Sequence, residues 1–185
     1  MRNISIFCFG FGQVAKNFIN KVKSENFQIN LSTTSTSKTC QKSIYGIKYE
    51  NYFFKNKSYD IKLVKKLKKA DHILISIPPT KKFDPVIKSF SKIIEKCEPK
   101  WITYLSATSV YGDHKGKWVS EQSITKPTSL NGMVRLEAEK SWLSLKKNNN
   151  LPIQIFRLSG IYSNQNNILT RLKLGKAKLV KKQNN

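Results

Sequence analysis

Ile4-Ser5-Ile6-Phe7-Cys8-Phe9-Gly10-Phe11-Gly12-Gln13-Val14-Ala15 decides the reading of this chain. A short apolar run ends in G-x-G-x-x-A and passes straight into an amphipathic segment, which gives the order strand, glycine turn, helix. In that context Gly10 allows the tight turn and Gly12 lets backbone approach a diphosphate. Ala15 lets the helix sit close on the strand. Free amides and the positive end of the helix dipole then face the phosphates. The competing reading is a glycine turn in an ordinary strand-helix unit that binds nothing. The flanking segments favour dinucleotide binding.

Outward from this turn, apolar strands and amphipathic helices alternate, the pattern of a parallel α/β sheet. A first helix, about Gln13 to Lys23, gathers Val14, Ala15, Phe18, Ile19 and Val22 on one side. Phe27 to Ser32 reads as a second strand and polar Thr33 to Ser43 as a loop with at most a weak helix. Gly46 to Phe53 holds a third strand. Asp60 to Lys69 reads as helix, and His72 to Ile77 as a buried strand stopped by Pro78-Pro79. Asp84-Pro85 starts a helix with a capping carboxylate and a proline at its first position. Trp101 to Leu105 is the next strand, Ser129 to Lys147 a long helix and Pro152 to Phe156 a sixth strand. A short helix over Asn167 to Leu174 follows. The expected architecture is a doubly wound Rossmann sheet with flanking helices, residues 1–185 forming one domain.

The 185 residues suffice for one domain with a real core, and 39% hydrophobic and 11% aromatic content are globular values. No apolar run approaches the length of a membrane span, and the N-terminus lacks a secretory pattern. Cys8, Cys40 and Cys97 are odd in number and widely spaced. They form no disulfide framework, and with His72 and His114 they show no metal-ligand spacing. Cys8 and Cys97 fall on apolar faces as small core residues, and the expected compartment is the reducing cytosol. The net charge of +23 comes almost entirely from lysine, since arginine occurs only at 2, 135, 157 and 171. Those lysines spread over several helix faces without interleaved arginine or stacking aromatics. That pattern suits a solvated surface better than a nucleic-acid partner.

Four segments together resemble the extended short-chain dehydrogenase/reductase family, also called the NAD-dependent epimerase/dehydratase family. They are the opening G-x-G-x-x-A, then Tyr104-Leu105-Ser106-Ala107-Thr108-Ser109-Val110-Tyr111-Gly112-Asp113, Arg135-Leu136-Glu137-Ala138-Glu139, and Arg157-Leu158-Ser159-Gly160-Ile161-Tyr162. Gly112-Asp113-His114-Lys115-Gly116-Lys117-Trp118-Val119-Ser120-Glu121 resembles an atypical branch of it. The resemblance implies a Rossmann sheet with a smaller C-terminal substrate lobe. It also implies hydride transfer assisted by a tyrosine, a lysine four residues later, and a serine or threonine after the fifth strand.

The chain departs from that pattern at the chemistry. Asn131 stands in the tyrosine place, Arg135 in the lysine place and Ala107 in the serine/threonine place. Asparagine exchanges no proton near neutral pH and arginine stays protonated, so this pair does no acid/base work. Thr108 is the one candidate for a reacting hydroxyl. Asn131, Arg135 and Glu139 read more simply as a plain helix face with an i, i+4 ion pair. At the end of the second strand the chain offers Ser32 to Lys38 and no acid, where NAD-preferring sites hold a carboxylate. A ribose phosphate suits hydroxyls and a lysine, so NADP is expected over NAD. With the sequence stopping at Asn185 soon after the sixth strand, the expectation is a truncated or stripped-down member whose C-terminal substrate lobe is largely missing.

The expected cofactor-binding set is therefore Gly10, Phe11, Gly12, Gln13 and Val14 at the phosphates, with Thr33, Thr34, Ser35 and Lys38 around the adenosine ribose. Ser76, Ile77 and Pro78 line the floor. Two functions fit: an NAD(P)-dependent oxidoreductase or epimerase-type protein acting on an unknown small molecule, or a non-catalytic dinucleotide-binding module serving as redox sensor or partner protein.

Overall fold

The structure, a computed structural model, describes residues 2–163 and 167–176. Eight strands and five helices follow one another as β1 (Arg2–Phe9), α1 (Gln13–Ser24), β2 (Phe27–Ser35), β3 (Cys40–Ile44), β4 (Ile47–Lys55) and β5 (Ser58–Tyr59), then α2 (Lys62–Leu67), β6 (His72–Ile75), α3 (Pro85–Ile94), β7 (Trp101–Ala107), α4 (Leu130–Asn149), β8 (Ile153–Leu158) and α5 (Ile168–Lys173). The sheet order is β3-β4-β2-β1-β6-β7-β8, with β5 paired to β4. Its six core strands run parallel. Taken in chain order they lie 3-2-1-4-5-6, the Rossmann arrangement. Beyond β8, the described residues add only α5. Asn185, where the sequence stops, lies outside them.

Burial explains why β1 is central. Ile6, Phe7, Cys8 and Phe9 are all buried, as a strand covered on both faces requires. Phe7 and Phe9 join Ile73, Ile75, Ile102 and Tyr104 under α2, α3 and α4. Ile6 and Cys8 join Leu31, Leu74 and Leu105 under Ala15 and Ile19 of α1. Alternation along one strand thus feeds two cores. Cys8 and Cys97 are buried and Cys40 is exposed.

Asp84 starts α3 as its sequence suggests. Its Oδ1 accepts from the Val86 and Ile87 amides at 2.8 and 3.0 Å. Its Oδ2 accepts from the indole N–H of fully buried Trp142 at 3.2 Å, which ties α3 to α4. Ser129 caps α4 through the Gly132 amide at 3.1 Å. A Cβ on Gly132 would come within 2.4 Å of the Ser109 carbonyl, so glycine lets α4 approach the turn after β7.

One stretch differs from the sequence expectation. The second strand runs on to Ser35, and Cys40–Ile44 forms an edge strand antiparallel to β4 where a loop was expected. Thr33 and Thr34 are fully buried although polar. Such residues enter a sheet when their hydroxyls find partners, which an apolar pattern cannot reveal.

Candidate functional site

The ends of β1, β2 and β6 meet where the strand order reverses, the crevice in which open α/β sheets bind ligands. Gly10 leaves β1 at φ +79°, and a Cβ there would lie 2.9 Å from Ile77 Cγ1. Only glycine satisfies both demands. Its amide donates to Thr34 Oγ1 at 2.9 Å. The Phe9 carbonyl accepts from the Ser76 and Ile77 amides at 2.8 and 3.1 Å. Three strand ends are stitched into one rim.

Gly12 occupies the position before α1. No side chain caps the helix and its first turn carries no acid. A Cβ on Gly12 would meet nothing closer than Ser76 Oγ at 3.9 Å. Bare backbone, an uncapped helix start and the absence of negative charge fit a diphosphate. Gln13 and Val14 form the first turn, both half-buried. The Phe11 ring packs edge-on against Tyr49, 5.3 Å between centroids.

The expected ribose residues divide. The Thr33 hydroxyl donates to Asn51 Oδ1 at 3.0 Å, and the Thr34 hydroxyl receives the Gly10 amide. Both are spent inside the fold, so they brace the turn instead of surrounding a ribose, because the strand carries them below the rim. Ser35 is half-buried at the strand end, its Oγ accepting from Asn51 Nδ2 at 2.8 Å and the Ser37 amide at 3.2 Å. Lys38 and Pro78 are exposed, and Ser76 and Ile77 half-buried.

A second cluster closes the ends of β7 and β8. Glu139 of α4 is 1% exposed. It accepts from Arg157 Nη2 at 2.8 Å and from Arg157 Nε at 3.1 and 3.2 Å, and the Ser106 hydroxyl donates to it as well. Arg157 Nη1 donates to the Tyr111 hydroxyl at 3.0 Å and the Glu121 carbonyl at 3.4 Å. The expected Arg135–Glu139 pair is corrected. Arg135 Nη1 donates instead to the Leu105 carbonyl at 3.0 Å, while Glu139 points to β8, where a buried carboxylate gains a forked partner. The Glu139 carboxylate holds the Arg157 guanidinium above even its usual range, so Arg157 keeps its charge. Asn131 is exposed on the first turn of α4. Thr108 is exposed at the end of β7, its carbonyl accepting from the Tyr111 amide at 3.0 Å. Sequence reasoning overlooked Arg157 as a partner, although Arg157-Leu158-Ser159-Gly160 had drawn notice as a motif.

Similar folds appear among solved structures. A functionally unknown conserved protein from Silicibacter pomeroyi matches at 28% identity and TM-score 0.66, over 85% of this chain and 54% of that one. UDP-glucuronic acid 4-epimerase from Bacillus cereus in complex with NAD matches at 18% and 0.69, over 91% and 62%. The chain shares the Rossmann fold of these proteins. A short-chain dehydrogenase/reductase superfamily protein from Agrobacterium tumefaciens with bound NAD shares that fold at 13% and 0.61, over 83% and 48%. The chain thus spans about half to three-fifths of the length of these solved proteins. No family model and no curated protein matches it. Among the described residues, no helix is long and apolar enough to cross a membrane.

Proposed function

We propose that the chain binds a nicotinamide dinucleotide across the β1–β6 switch point and serves as a coenzyme-binding module. The observation that carries the reading is the stitched glycine turn opening onto an uncapped helix start. Gly12, Gln13 and Val14 hold the diphosphate through backbone amides, Gly10 shapes the turn that presents them, and Phe11 packs beside them. Ser35 and Lys38 approach the adenosine ribose, and Ser76, Ile77 and Pro78 form the floor. NADP(H) is preferred over NAD(H) because the end of β2 offers hydroxyls and a lysine and no carboxylate. The Bacillus cereus and Agrobacterium tumefaciens structures hold NAD, so this preference rests on those residues alone.

A bound nicotinamide supplies hydride transfer. Around its expected place this chain's groups orient rather than exchange protons. Arg135 is held by Leu105, Ser106 by Glu139 and Arg157 by three partners. That engagement supports the non-catalytic form of the reading. Exposed Thr108 at the end of β7 favours the alternative, an oxidoreductase or epimerase-type activity.

Calorimetric titration of the chain with NADPH and NADH tests binding. NADPH is expected to bind at least tenfold more tightly, and equal affinities refute the preference. Gly12→Val has room for its Cβ and an ordinary φ of −80°, so it is expected to keep the fold and lose coenzyme affinity at least tenfold. Unchanged affinity in that variant rejects the site. NADPH oxidation with ketone or sugar-nucleotide substrates, abolished by Thr108→Ala, marks the chain as an enzyme.

A further inference from the structure

A groove rich in lysine lies away from the glycine turn. About 600 Å³ in volume, it runs between the β4–β5 hairpin and the loop before α3, lined by Phe53, Lys55, Lys57, Lys81, Lys82 and Phe83 together with Asn56, Ser58 and Thr80. Four of its nine lining residues are lysine, against 30 of 185 in the whole chain, and none is acidic. Among the described residues none of the four lysines makes an ion pair. A fifth ammonium, Lys88 Nζ, stands 4.1 Å over the Phe83 ring at the margin.

Both walls are held by hydrogen bonds. Thr80 closes the loop on itself, its hydroxyl donating to the Phe83 carbonyl at 2.8 Å and accepting the Phe83 amide at 3.1 Å. The hairpin turns at left-handed Asn56, whose carbonyl accepts from Ser89 of α3 at 3.1 Å. Like charges held around a concavity repel one another and focus a positive potential into it. A smaller groove of about 330 Å³ holds Lys65, Lys66 and Lys69, but there Glu50 lies 3.5 Å from Lys66. Unrelieved charge separates the larger groove from the general lysine surface.

We infer that this groove binds a condensed phosphate, two or three linked phosphates on Lys55, Lys57, Lys81 and Lys82, carried by a nucleotide or free. Phe53 and Phe83 offer aromatic surface to a base in the first case. The site is independent of the glycine turn and shares no lining residue with the proposed coenzyme set.

Calorimetry with inorganic tripolyphosphate and with adenosine triphosphate tests it on the full chain. Lys55→Gln/Lys57→Gln and Lys81→Gln/Lys82→Gln are each expected to weaken tripolyphosphate at least tenfold. Lys65→Gln/Lys66→Gln, which removes the same charge elsewhere, changes it less than twofold. Tighter binding of adenosine triphosphate, lost with Phe83→Ala, identifies a nucleotide, and equal binding identifies the bare phosphate chain. Equal losses in the control pair overturn the inference, as does displacement of tripolyphosphate by NADPH that is lost in Gly12→Val, which puts the phosphate at the glycine turn. A single-stranded oligonucleotide that binds more tightly than either probe and depends on the same lysines also overturns it, in favour of a nucleic-acid surface.

Discussion

Removing the Glu139 carboxylate strips Arg157 of its partner and Ser106 of its acceptor in one step. Glu139→Ala is therefore expected to cost about 2–3 kcal/mol, less than a fully buried pair, because Arg157 is 20% exposed and keeps the Tyr111 and Glu121 oxygens. Urea unfolding reads it as a lower midpoint at unchanged slope. Glu139→Leu combined with Arg157→Leu recovers much of that loss, because no unpaired charge remains. The absence of the family's tyrosine and lysine was legible at this scale, since Asn131, Arg135 and Glu139 share a helix. The true partner of Glu139 was not. Arg157 stands 18 residues away on a strand, and no local spacing encodes a contact made by the sheet.

Asp84 shows how much one helix end can announce. A carboxylate before proline marks the start of α3, and the structure adds an indole that the local sequence could not disclose. Asp84→Ala removes two amide partners and the Trp142 partner together, and is expected to destabilise by about 2 kcal/mol. Asp84→Asn keeps an acceptor and falls between the two in thermal unfolding. The end of β2 shows the opposite. Ser32, Thr33 and Thr34 carry no apolar alternation, yet they are buried because Asn51 and Gly10 satisfy the two threonine hydroxyls. Polar strands of this kind escape periodicity arguments. That is why two hydroxyls assigned to a ribose belong to the framework.

The whole molecule carries +23 with only 11 acidic residues, so the few carboxylates matter disproportionately. Hydrogen bonds from the Ser5 amide and Lys100 hold Asp71 below its usual range; the Lys62 amide and Thr39 do so for Asp60, and Tyr52 and Lys66 for Glu50. Groups depressed in the folded state stabilise it fully above their unfolded values, about 4. That contribution is lost as pH falls through the folded ones. Burial pushes Asp84 upward and works in the opposite sense. Acidification also uncovers lysine repulsion, which adds to the loss from the depressed groups. The thermal midpoint is expected to fall below about pH 4, with added salt restoring part of it. A midpoint that rises on acidification contradicts this. The parallel α/β class, unlike the charge balance, was readable from alternating strands and helices, whereas the β2 to β4 crossover, which runs through edge strand β3 and no helix, was not.

The double acceptance at the Phe9 carbonyl, together with the Gly10–Thr34 bond, makes the mouth of the crevice a stiff collar. A receptor already shaped in this way has little to freeze on docking. Occupancy should then leave the collar's backbone where it stands, sparing the ordering entropy that a mobile loop would lose.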